Sequence, residues 1–151
     1  MLKPYLCVAC EKVIIGKDNI ASLISLFSKM TVTVQPGNEP PSNAVVPREW
    51  FVFSIWETGP GDETRGYDLV TQILYPDGAQ FGEIAKQRLA IEPGKRAQVT
   101  VQVPGFPVGQ IGDYSVKTWI EENQKIVLEP IVFRLGVEWL RQEPSSAAKL
   151  T

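Results

Sequence analysis

The stretch "AQVTVQV", residues 97–103, decides the fold. Val99, Val101 and Val103 fall on one side of an extended chain, and Gln98, Thr100 and Gln102 fall on the other. A period of two, apolar on one side and polar on the other, belongs to a β-strand whose sheet has one wet face. The same grammar continues outward from this strand. "AKQRLAI" (85–91) reaches it through the turn "EPGKR". "YLCVACEKVII" (5–15) runs into "GKDN", and "YDLVTQILY" (67–75) runs into "PDG", both hairpin-type turns. "DYSVKTWIE" (113–121) leads through "ENQ" to "KIVLEPIVFRLGV" (125–137), where Pro130 cannot donate to a ladder and marks an edge or a bulge. In "NIASLISLFSKMTVTV", Ile20, Leu23, Ile24 and Phe27 also fit helical spacing. The short "GKDN" turn favours a hairpin partner for the first strand, so a strand is expected over 20–27. About eight short strands with frequent turns predict an all-β fold. The expected architecture is a two-sheet antiparallel β-sandwich, immunoglobulin-like, over residues 1–140, with a barrel as the structural rival. The polar "RQEPSSAAKLT" that follows, 141–151, reads as a flexible C-terminal tail.

The chain has 151 residues, enough for one domain with an ordinary core. Its net charge of −2 is evenly spread, with no basic stripe. Nucleic acid is therefore not expected as a partner. No Lys/Arg cluster flanks an amphipathic segment and no run approaches the length of a membrane span, so no membrane partner is expected either. "MLKPYLCVACEKVIIGKDN" is broken by Pro4, Glu11 and Lys12 and makes a poor signal peptide, so a cytoplasmic location is expected.

The sequence holds 0 histidines, which removes Ser–His and Cys–His nucleophile systems and the commonest metal ligand. No phosphate-cradling glycine motif occurs. Cys7 and Cys10 form a C-x-x-C, but positions three apart on a strand point to opposite faces. Two reduced, ordinary cysteines are expected, with no metal and no cofactor. Asp62 with Glu63, and Glu121 with Glu122, offer two carboxylates each where a calcium loop needs several, so they read as solvated loop charges. The protein is not expected to be an enzyme.

Tryptophan raises the remaining question. "REWFVFSIWE" (48–57) and "DYSVKTWIEE" (113–122) both read as strands, and are expected to be neighbours. If Phe51, Phe53 and Ile55 face the core, Trp50 and Trp56 face outward. With Tyr114, Val116, Thr118 and Ile120 inside, Lys117 and Trp119 also face outward. Trp50, Trp56, Lys117 and Trp119 are then the expected surface patch. Three explanations compete for such a face. The Pro-rich loop 35–47 could cover it, a homodimer could bury it by self-association, or it could stack an unknown protein, peptide or carbohydrate ligand.

"LCVACEKVII" (6–15), "NIASLISLF" (19–27) and "FPVGQIGDYSVKTWIEENQKIVLEPIVFRLGV" (106–137) resemble a family of small bacterial proteins known as a domain of unknown function. The resemblance rests on "CEKVI" and on Phe106, Gly112, Tyr114, Ile126, Pro130 and Val132. It implies a cytoplasmic β-sandwich without assigned catalysis, and it supplies no catalytic residues. The expected role is a non-catalytic interaction or structural module, or alternatively a carbohydrate- or peptide-binding one.

Overall fold

A computed structural model describes residues 2–61 and 65–141. The strands, in chain order, are β1 (Lys3–Ile15), β2 (Ala21–Leu26), β3 (Lys29–Val34), β4 (Val45–Val46), β5 (Trp50–Glu57) and β6 (Arg65–Leu74). They continue as β7 (Gln80–Ile91), β8 (Arg96–Val103), β9 (Phe106–Pro107), β10 (Gly112–Glu122), β11 (Lys125–Ile126) and β12 (Ile131–Arg141). Among the described residues there is no helix, and none long and apolar enough to cross a membrane. The fold is all-β.

Residues 21–26, where helical and strand periods compete, are a strand, because the turn before them is very tight. The Gly16 N–H donates to the Ile20 carbonyl at 2.9 Å, and the Asn19 N–H donates back to the Gly16 carbonyl at 3.0 Å. Asn19 takes a φ of 66°, a left-handed conformation that asparagine tolerates. The chain thus reverses onto β1, and ladder hydrogen bonds are available before a helix could nucleate.

Strand order β2-β1-β5-β8 makes one sheet, called sheet 1. Order β3-β12-β10-β6-β7, with β11 paired onto β10, makes sheet 2, and β4 with β9 makes a small third sheet. Neighbouring strands are antiparallel except β3 and β12, which are parallel. The chain changes sheets at Phe27–Ser28. There the Phe27 N–H donates to Ala9 of sheet 1 at 3.2 Å, while Ser28 accepts from Gly136 of sheet 2 at 2.8 Å. The core lies between the two larger sheets, a sandwich-like arrangement. Trp50, Val52, Trp56, Val99, Val101 and Val103 meet Leu69, Ile73, Tyr114, Val116, Ile120 and Leu135 there.

Two expectations are corrected here. β5 sits in sheet 1 and β10 in sheet 2, so the two tryptophan-bearing strands are not neighbours. The phase of β5 is also the reverse of that expected. Trp50 and Trp56 are both 1% exposed, inside the core. The cause is register. Directly opposed residues of an antiparallel pair share a face, and β5 aligns Trp50 with Val103, Val52 with Val101 and Ser54 with Val99. The unambiguous valine face of β8 points inward and takes the tryptophans with it.

One end of the sandwich is closed by residues 104–111, which three aromatic side chains anchor. The Trp50 indole N–H donates to the Gly105 carbonyl, and the Trp139 indole N–H to the Val108 carbonyl, each at 2.8 Å. The Tyr114 hydroxyl accepts from the Gln110 N–H at 3.1 Å. Loop 35–47 does not cover an outer tryptophan face. It contributes β4 and packs on this same segment, with the Val108 N–H donating to Ala44 at 3.0 Å. At Gly109 a Cβ would stand 2.2 Å from the Pro41 carbonyl oxygen, so only glycine permits that approach. At the other end of the chain, β12 runs through Arg141, whose guanidinium reaches Glu39 at 2.9 Å. Of the expected tail, 142–151 lies outside the described residues.

Candidate functional site

The expected patch of Trp50, Trp56, Lys117 and Trp119 is not formed. The two core indoles have structural partners: Trp50 holds Gly105, and the Trp56 N–H donates to the Ser54 hydroxyl at 2.9 Å. Trp119 and Lys117 share the outer face of sheet 2, with the Lys117 ammonium 5.9 Å from the Trp119 ring centre. Trp119 is half-buried beside Val70, its partner across the ladder, and its N–H donates to Glu121 at 3.2 Å. The surroundings are charged. Lys86 lies 4.0 Å from both Asp68 and Glu121, and Arg88 lies 3.4 Å from Asp68. The cations of these pairs are solvated, so each pair contributes little energy, and together they keep this face polar.

The chemistry-bearing residues remain dispersed. Asp62 and Glu63 lie outside the described residues. Glu122 faces Arg65 at 3.7 Å. Cys7 and Cys10 are free and take opposite faces of β1, as the spacing requires: Cys7 is opposed to Ser54 and Cys10 to Phe51. Burial pushes the Cys7 thiol up to about 11, while the Thr118 hydroxyl beside it pulls in the opposite direction. Cys10 is also raised by burial. Among the described residues, no group of 3 or more His, Cys, Asp or Glu side chains converges to hold a metal.

The feature that the sequence reading missed is the outer face of sheet 1. Leu6 pairs with Ile55, Val8 with Phe53, and Cys10 with both Phe51 and Leu26. All of these point away from the sandwich core. Phe53 is 1% and Cys10 0% exposed, although both stand on the outer side, because apolar neighbours on the same face surround them. Toward β2 the apolar surface opens, with Leu26 60%, Ile14 45% and Ile24 43% exposed. Polar residues border it: Gln98, Thr100 and Gln102 from β8 on one side, Glu49 at the end, and Lys12, which stands between Cys10 and Ile14 on the same face of β1 and opposite Ile24. A hollow of about 480 Å³, lined by Glu11, Lys12, Ile24, Glu49 and Phe51, indents this end. The signal was present in β5, which is apolar at both odd and even positions.

No family model and no curated protein matches the chain. Among solved structures it is similar to a selenomethionine-labelled β-glucosidase from Kluyveromyces marxianus, with a TM-score of 0.40 and 13% identity over 68% of this chain and 15% of that one. A likeness at that level carries no argument about activity.

Proposed function

We propose that this protein is a cytoplasmic, non-catalytic interaction module that pairs with a second copy of itself through the outer face of sheet 1. The observation that carries this reading is the apolar continuity of that face from Ile55 to Leu26, rimmed by polar side chains. A sheet that is apolar on both sides has two surfaces to bury, and the sandwich core covers one of them. Charge favours a second copy over a strongly acidic or basic partner. The face carries Lys12 with Glu49 at its end, so a two-fold contact can set each cation against the other copy's anion. Face-to-face packing of two such sheets needs no further element.

The finer fold assignment belongs to the same reading. The parallel β3–β12 pair after a sheet switch, and the Tyr114 hydroxyl bonded four residues upstream at Gln110, fit an immunoglobulin-like sandwich with its tyrosine corner. The β1–β2 hairpin is then an addition that widens the proposed docking face. This reading is in keeping with the resemblance to small bacterial β-sandwich proteins of unknown function. The carbohydrate or peptide alternative rested on exposed tryptophans, and Trp50 and Trp56 are core.

Light scattering on a size-exclusion column tests the proposal. A dimer at tens of micromolar is expected for the native chain, and a monomer with unchanged melting for Leu26→Glu. A native chain that elutes as a monomer at that concentration overturns it.

A further inference from the structure

We propose that the cleft between β7 and β8 is a binding site for an uncharged, largely apolar small molecule carrying one hydrogen-bonding group. β7 and β8 belong to different sheets and are joined by the turn after Ile91, where the Lys95 N–H donates to Glu92 at 3.1 Å. At their far ends the seam between the sheets is open. A cavity of about 540 Å³ lies there, lined by Phe81 and Ala85 of β7, Val101 and Val103 of β8, and Thr71 and Ile73 of β6. That volume is in the range that small-molecule sites occupy.

Two further observations fall at the same place. First, the β6–β7 ladder breaks register beside the cleft. Thr71 pairs with Ala85 but Ile73 pairs with Phe81, so Gly82, Glu83 and Ile84 together oppose Gln72 alone. Gly82 takes a φ of 65° to make this bulge. The bulge is braced: Gln80 Nε2 donates to the Gly82 carbonyl at 2.9 Å, and Gln72 Nε2 donates to Gln80 Oε1 at 3.1 Å. A bulge bends its strand and re-aims its neighbours, and here it holds the seam apart. Second, Thr71 lines the cleft at 3% exposure, and its hydroxyl has no hydrogen-bond partner among the described residues. A buried hydroxyl left unpaired costs free energy that a ligand group can recover. Rotation about χ1 exchanges the methyl and hydroxyl of a threonine between staggered positions, so a bound group draws the oxygen into the cleft.

The lining sets the ligand class. Among the described residues Glu83 is its one charged member and stands on the exposed part of β7, so their lining offers the interior no counter-ion. A charged ligand would lose its hydration there without replacement. A hydroxyl both donates and accepts, so an alcohol or a carbonyl satisfies Thr71 equally.

The experiment is a fluorescence titration of the intact chain with N-phenyl-1-naphthylamine, an uncharged apolar probe, followed by displacement with 1-decanol. Saturable binding to one site is expected, with competition by the alcohol. Ala85→Phe, which fills the cleft, should abolish the saturable signal. Thr71→Val keeps the side-chain shape and should weaken 1-decanol about fivefold, the loss of one neutral hydrogen bond. Leu26→Glu, on the outer face of sheet 1, should leave probe affinity unchanged. Absence of saturable binding to the native chain overturns the proposal. So does binding that survives Ala85→Phe but is lost in Leu26→Glu, which would place the probe on the outer face. Undiminished 1-decanol affinity in Thr71→Val overturns the assigned role of the hydroxyl. The Thr71→Val arm also guards against misreading a misfolded Ala85→Phe.

Discussion

Strands β5 and β10 each carry tryptophan and each run through the middle of a sheet, yet they use it oppositely. β10 alternates: Tyr114, Val116, Thr118 and Ile120 are buried, while Ser115, Lys117 and Trp119 stand on the half-exposed outer face. Its indole lies across Val70 among ion pairs. β5 does not alternate in polarity at all. Trp50, Val52 and Trp56 face the core, but Phe51, Phe53 and Ile55 are apolar too, and Phe53 is as buried on the outer side as Trp56 is on the inner. The difference shows that an indole's position along a strand does not decide whether it meets solvent. What decides it is the register that the neighbouring strand imposes.

The strongest way to break this contrast is to remove a β5 indole. Trp56→Ala deletes a fully buried ring and leaves the Ser54 hydroxyl without its donor. A loss of about 4 kcal/mol in denaturant unfolding is expected, typical of large-to-small changes at buried aromatic positions. A loss below about 1 kcal/mol would mean that Trp56 is not core and would reverse the phase of the strand.

A titration separates the two faces of sheet 1 at their shared strand β1. Cys7 faces inward, toward Thr118 of β10, and its thiol is held up to about 11 against an ordinary value of 9.0. Below pH 9 the thiol is neutral in both folded and unfolded chains, and its contribution to stability is fully present. As pH rises from 9 toward 11, the unfolded thiol ionises while the folded one stays neutral, so stability is lost across that window. The loss is about 2 kcal/mol, read as unfolding free energy just below pH 9 and near pH 11. Cys7→Ala should flatten most of that slope. The remainder belongs to Cys10 and Tyr114, both also raised by burial.

The contrast also explains what was legible in the sequence. Where one face of a strand is polar, the alternation is unambiguous, and both the valine strand and β10 were read in the correct phase. The tight turn after Ile15 settled residues 21–26 as strand against their helical spacing. β5 was unreadable alone, because apolar residues at both odd and even positions leave both phases open, and the information that resolves it lies in Val99, Val101 and Val103, 45 to 53 residues along the chain from their partners Ser54, Val52 and Trp50. The pairing of β5 with β1 and β8, rather than with β10, is likewise a property of the topology. The outer face of sheet 1 was hidden for the same reason: it exists only once β2, β1 and β5 are side by side.

On β10 the expected effect is smaller. Trp119→Ala removes a half-exposed ring whose contacts are Val70, Lys117 and an N–H bond to Glu121. A loss of about 1 kcal/mol or less is expected in the same denaturation assay. A loss near that of Trp56→Ala would erase the distinction between the two strands.

The smallest effect has the opposite sign and lies where the two sheets meet. Thr118 of β10 and Thr71 of β6 are directly opposed across the ladder, both face the core, and both hydroxyls are buried without a hydrogen-bond partner among the described residues. The Cys7 thiol lies beside Thr118 but falls short of hydrogen-bond geometry, so it compensates poorly for the water that the hydroxyl gave up on folding. Thr118→Val keeps the branched shape that suits a strand and replaces the unpaired oxygen with a methyl group. Stability should rise by up to about 1 kcal/mol in denaturant unfolding. The Cys7 thiol should titrate higher still, since the Thr118 hydroxyl that pulls it down is gone. A destabilised variant would mean that the Thr118 hydroxyl is bonded in solution, and that the seam between β1 and β10 is held there by a polar contact rather than by apolar packing.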